Sequence, residues 1–177
     1  MVVRLDAGRE AVRAYVAEQA LLGKEHVISL VRTEGDAIAA SITDLTDEQG
    51  SAEPAPGEFS ALQVLQHLNG SFERSIDRLK TLSASQPWTN RGAPAGSGSI
   101  PGDATSSFVE ARRQFLEGTE AVLAVLEAAD EARGLDVTAT HAGFGDFNWL
   151  EWATYSHHVH THDHVGQLAE IRAAVRK

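Results

Sequence analysis

Five of the eight histidines fall in one short run, Tyr155-Ser-His-His-Val-His-Thr-His-Asp-His164. Cysteine is absent, so a disulfide, a thiolate metal site and a cysteine nucleophile are all excluded. Any metal site must be built from His, Asp and Glu. A helix turns about 100° per residue, so the run cannot act as one site and must be divided by face. Trp149, Ala153, His160, His164, Leu168, Ile171 and Val175 share one stripe, with His157 on the same side. The apolar members of that stripe must face the core, which turns His160 and His164 inward with them. Imidazoles four residues apart project from adjacent turns and can converge on one ion. Their borderline nitrogen donors suit Zn, Ni, Fe or Cu rather than Mg or Ca. His158 and His162 have the same spacing on the opposite side, where they are expected to be solvated. A surface tract that binds metal loosely is the competing explanation for so many histidines.

Two helical histidines rarely suffice, and a third ligand should come from another element. The candidates are His26, His67, His141 and any carboxylate. His67 sits at the flank of an apolar stripe beside Val64 and Ser71. His26 lies among Lys24 and Glu25, and His141 lies close to Gly143 in a predicted loop. Asp163 is expected at the surface.

The elements that must position these residues read as helices. The first stretch runs from about Ala7 to Ile42, with Leu21, Ile28, Val31, Ile38 and Ile42 at helical spacing. Gly23 and Gly35 weaken it and predict a kink or a break. Leu45-Thr-Asp-Glu-Gln49 leads into a loop containing Pro54, Pro56 and Gly57. Ser60, with Gln63 three residues on, has the form of a capping box and predicts the next helix. That helix ends before Pro87. The Gly-, Pro- and Ser-rich segment from Pro87 to Asp103 predicts a long surface loop. A third helix is expected from about Thr105 to Ala132, with Phe108, Phe115, Val122 and Leu126 on one side. The last runs from about Asn148 to Val175. No alternating strand is evident. Four amphipathic helices in 177 residues predict an all-α four-helix bundle forming a single domain over 1–177.

Composition narrows the function classes. Hydrophobic residues make up 42% and charged residues 23%, as in soluble globular chains. The net charge of -10 argues against nucleic acid, whose binding normally requires a basic patch. No stretch approaches the roughly 18 apolar residues of a membrane span. The segment Met1–Arg13 lacks the apolar core of a signal peptide. A soluble, cytoplasmic protein is therefore expected.

Three passages resemble the DinB-like superfamily of metal-binding four-helix proteins. They are Leu45-Thr-Asp-Glu-Gln49 before its Pro/Gly loop, Phe59-Ser-Ala-Leu-Gln-Val-Leu-Gln-His67-Leu68, and His160-Thr-His-Asp-His164-Val-Gly-Gln167. Their order and spacing carry the match. The resemblance implies His67, His160 and His164 as a three-histidine site, with water or substrate completing the metal shell. It also implies a homodimer. Related branches include thiol-dependent S-transferases and mycothiol-dependent maleylpyruvate isomerases. Val165 stands where the family often has Arg, so a substrate contact by that Arg is not carried over. His157, one turn back, could enter the pocket as an acid/base group or as a partner to a ligand.

Three neutral imidazoles leave a metal such as Zn or Ni, or Fe, with an open position, the catalytic rather than the structural pattern. Such a metal activates bound water or a bound thiolate. The expectation is a metal-dependent transferase or hydrolase acting on a small-molecule substrate. In the transferase form a low-molecular-weight thiol would be the cosubstrate, because the chain has no cysteine of its own. In the hydrolase form, His157 or Asp163 is a candidate proton acceptor. The alternatives are a non-catalytic module that binds metal or a small ligand, and a purely structural metal.

Overall fold

The computed structural model describes residues 2–88 and 107–176. Most of the predicted Pro87–Asp103 loop, and the predicted helix start at Thr105, lie outside the described residues. A 3-10 turn at Leu5–Ala7 precedes α1 (Arg9–Ala20), α2 (Lys24–Ile42), α3 (Asp47–Ser51), α4 (Ala61–Ser83) and α5 (Phe108–Ala128). An antiparallel hairpin follows, with β1 (Ala139–His141) and β2 (Gly145–Phe147) paired in the register Ala139 to Phe147. The chain then forms α6 (Trp149–Thr154), a π-helical turn (Tyr155–Val159) and α7 (His160–Val175) as one continuous rod.

Local chemistry sets these boundaries. The single first helix expected from the sequence is two helices, divided at Gly23, whose φ of 94° is a left-handed conformation that glycine alone adopts without strain. Gly35 does not break α2. A Cβ there would lie 2.7 Å from Thr119 Cγ2, so the glycine lets α2 and α5 approach closely. The capping box of Ser60 and Gln63 is present, and equivalent boxes start α3 at Thr46 and α6 at Asn148. Each satisfies two backbone groups that a helix start would otherwise leave unpaired. The short α3 and the hairpin are additions to the expected helices; three-residue strands are too short to show alternation.

The long helices form the predicted all-α bundle. In cross-section α2 packs on α5 and α7, and α4 packs on the same two. Two apolar clusters fill it. One joins α1, the first half of α2, the ends of α4 and α5, the hairpin and α6, with Trp149, Phe147 and Leu126 at its centre. The other joins the end of α2, the starts of α4 and α5, and α7, around Ile38, Leu65, Phe108, Phe115 and Leu168. Phe72 touches both. Along the last rod Val159 belongs to the first cluster and Leu168 to the second. The polar residues between them, His160 to His164, fall where apolar packing pauses.

That rod is walled on several sides. Its α6 part packs on α1, α2 and α4, and its α7 part on α2, α3 and α4. Leu150, Trp152, Ala153, Thr154, His157, His158 and Val159 are all buried. The stretch from Leu150 to Val159 is thus largely buried, while Gly166, Ala169, Glu170 and Ala173 of α7 are exposed, and the π turn changes the phase of the side chains that follow it. The expectation that His158 and His162 are solvated is therefore corrected: His158 is 2% exposed, and His162 is only partly exposed.

Candidate metal centre

His67, in the second turn of α4, and His160 and His164, in the first turns of α7, come together. His67 Nε2 lies 3.1 Å from His160 Nε2, and His164 Nε2 lies 3.4 Å from the same atom. One ligand atom from each of the three falls within 4.8 Å of the others, an arrangement compatible with a metal ion. Tetrahedral zinc with Zn–N bonds of about 2.0–2.1 Å separates its nitrogen ligands by about 3.3 Å. The two short separations match that edge.

The ring environments favour the ligating form. His164 Nδ1 donates to Gln167 Oε1 at 2.8 Å, which fixes the proton on Nδ1 and leaves a lone pair on Nε2. Burial, followed by repulsion from His164, His67, His157 and His141, pushes the His160 pKa down to about 3. Burial and His164 lower that of His67. Both rings are thus neutral at neutral pH, the state a metal requires.

The other candidates go elsewhere. His26 pairs with Gln19 Oε1 at 2.8 Å. His141, on β1, accepts from the backbone N–H groups of Gly143 and Phe144 at 3.0 and 3.3 Å. Its ring packs on Tyr155 and Trp152. Asp163 accepts from the Leu5 backbone N–H at 3.1 Å and ties down the N-terminal segment. His157 is 5% exposed, stacks on Phe72, and has Nε2 2.6 Å from Ser75 Oγ. Burial and the positive Arg78 push its pKa down to about 4. Val165 packs against the second apolar cluster.

Beside His160 opens a pocket of about 240 Å³. Its wall includes Arg74, Arg78, Ser75, His141 and Tyr155. Sequence reasoning missed the two arginines. Their signal was the spacing His67, Ser71, Arg74, Arg78, a polar stripe along one face of α4.

Across the rod lies a second polar group, also unforeseen. Glu34 of α2 is 4% exposed, and its Oε1 lies 3.1 Å from His158 Nδ1. His162 Nδ1 is 3.1 Å from each Glu34 oxygen, and Tyr15 Oη is 2.9 Å from His158 Nε2. Burial alone would raise the Glu34 pKa; the two histidines outweigh it and hold the carboxyl below its ordinary value. His158 and His162 are therefore engaged with a carboxylate, on a different element from His67.

A family model for the DinB superfamily matches residues 30–168, a span that takes in all three histidines of the candidate centre. The chain belongs to the DinB superfamily. No curated protein matches it. Among the described residues no helix is long and apolar enough to cross a membrane.

Proposed function

We propose that this DinB-superfamily chain is a divalent-metal-dependent enzyme of the thiol-transferase or hydrolase type. His67, His160 and His164 hold the metal, Zn or Ni in first place and Fe in second. The observation that carries the reading is the convergence of three Nε2 atoms beside a pocket that shares His160. A metal with three neutral nitrogen ligands keeps a position open and supplies Lewis acidity toward water or a thiol.

The chain's own residues do the rest. Gln167 orients His164 through its Nδ1 proton. Trp152 and Tyr155 supply the aromatic part of an otherwise polar pocket lining. His157 is neutral at neutral pH, so it does not donate a proton there. It holds the Ser75 hydroxyl, which lines the pocket. A low-molecular-weight thiol as cosubstrate fits a chain with no cysteine. Homodimer formation belongs to the same reading and is checked by sedimentation velocity.

Metal analysis of protein purified without an affinity tag tests this. About one metal per chain is expected. The double substitution His160→Ala and His164→Ala should abolish it, and His158→Ala with His162→Ala should not. Equal loss from both pairs refutes the assignment by face. A metal that does not exchange added thiol, with no product from thiol plus electrophile, would make the site structural.

A further inference from the structure

Arg78 is placed as few arginines are in an acidic chain. Its Nε is buried with no hydrogen-bond partner. Its guanidinium carbon lies 3.8 Å from the centre of the Trp152 ring and 5.3 Å from that of Trp88. Arg32, Arg113, Arg172 and Arg176 each hold a carboxylate. Among the described residues no ion pair forms at Arg78 or at Arg74, although Asp and Glu number 25 against 15 Lys and Arg. Burial and the nearby Arg74 lower the Arg78 pKa to about 10, so it stays charged at neutral pH. Burial first, and then the positive charge of Arg78, lower the pKa values of His141 and His157. Arg74 is exposed, but keeping the half-buried Arg78 unpaired in a pocket wall is unfavourable unless an anion joins it.

We propose that Arg78 and Arg74 form an anion subsite that binds the carboxylate of a small organic acid, with the rest of the molecule lying toward His160. Both arginines line the pocket that also contains His160, so the two ends of one small molecule span them. The pocket volume suits a small organic acid and is below the usual range for larger ligands. The planar guanidinium, stacked on Trp152, presents N–H groups whose geometry matches a carboxylate. The two rings hold Arg78 in position before the anion arrives. Trp152 and Tyr155 would contact the carbon skeleton. The placement of the reacting end rests on the metal reading above; the anion subsite does not.

The test is titration of the full chain with succinate, succinamide and inorganic phosphate, in EDTA-treated and zinc-loaded forms. Calorimetry and the fluorescence of the stacked tryptophans report binding. Succinate should saturate both forms, and succinamide should fail. Arg78→Gln should weaken succinate about tenfold or more, as loss of a charge-assisted hydrogen bond does. Arg74→Gln should weaken it less, and Arg112→Gln, on α5, should leave it unchanged. If Arg78→Gln does not fold, Arg78→Lys and Arg74→Gln carry the comparison. Succinate binding that is indifferent to both arginines overturns the proposal, as does binding of phosphate but not succinate. Binding that needs zinc and ignores Arg78 places the anion on the metal; that overturns the subsite and leaves the metal reading standing. If His67→Ala keeps its zinc while Arg78-dependent binding persists, the subsite stands and only the metal reading falls.

Discussion

Replacing His157 with glutamine should change how stability depends on pH, and the size of the change follows from its burial. In the folded chain the ring is 5% exposed, and its pKa is pushed down from 6.5 to about 4. The unfolded chain takes up that proton near the ordinary value. Between pH 6.5 and 4 the unfolded state therefore holds one more proton, and stability rises with pH. Above pH 6.5 both states are neutral and the group contributes no slope. A tenfold difference in proton affinity between the two states is worth about 1.4 kcal/mol, so acidification across this window costs the folded state about 3 kcal/mol through His157 alone. His160, lowered to about 3, has the same sign, so the total slope alone does not identify His157. Glutamine keeps a group able to hydrogen-bond Ser75 Oγ but does not titrate. Subtracting the variant's curve from that of the natural chain cancels the other histidines. The assay is urea unfolding of the EDTA-treated proteins, followed by circular dichroism and tryptophan fluorescence, from pH 7.5 to 4. The stability advantage of the natural chain should shrink by about 3 kcal/mol over that range. A difference that stays flat would mean that His157 titrates alike in both states, and would refute the account of its burial.

Glu34→Ala should lower stability by about 1–3 kcal/mol, because the buried His158 loses its carboxylate partner, while metal content stays unchanged. Urea unfolding and metal analysis check the two halves separately. Adding zinc at about 100 times its dissociation constant should stabilise the EDTA-treated protein by about 2.7 kcal/mol, and so raise its Tm by about 5–10 °C. Scanning calorimetry should show no such rise in His67→Ala. Gly35→Val should cost about 1–3 kcal/mol through overpacking, since even a Cβ would lie 2.7 Å from Thr119 Cγ2. Its metal content at 20 °C should match that of the natural chain.

Much of the fold was legible because the helices carry their own signals. The Ser60–Gln63 box and the stripe Phe108, Phe115, Val122 and Leu126 are local patterns, and both appear in the structure. The three-histidine group was legible in part. The spacing of His160 and His164 pointed to a shared face, but the choice of His67 over His26 and His141 came from resemblance, since no local pattern fixes which helix lies opposite. What was not legible depends on packing between elements. The role of Gly35, a close approach within α2 rather than a break, depends on Thr119, which lies far along the chain. The same holds for His158 and His162. Reading a stripe presupposes one buried face, and that fails for a rod enclosed by α1, α2 and α4.

That enclosure explains why one helix carries histidines on two sides. From Leu150 to Val159 the rod is largely buried, and its buried polar side chains need partners. Toward α2 the rod finds Glu34, which engages both His158 and His162. Toward α4 it meets His67, an imidazole like its own, and Ser75. A carboxylate opposite a histidine accepts directly from its ring N–H. Histidines opposite histidines can link through a ring N–H or share a metal ion, and their ligand atoms lie close enough for either. Burial disfavours the charged form of His160 and pushes its pKa down to about 3. The difference between the two sides is thus a difference in partner, carboxylate or imidazole, and it is the imidazole side that opens onto the pocket beside His160.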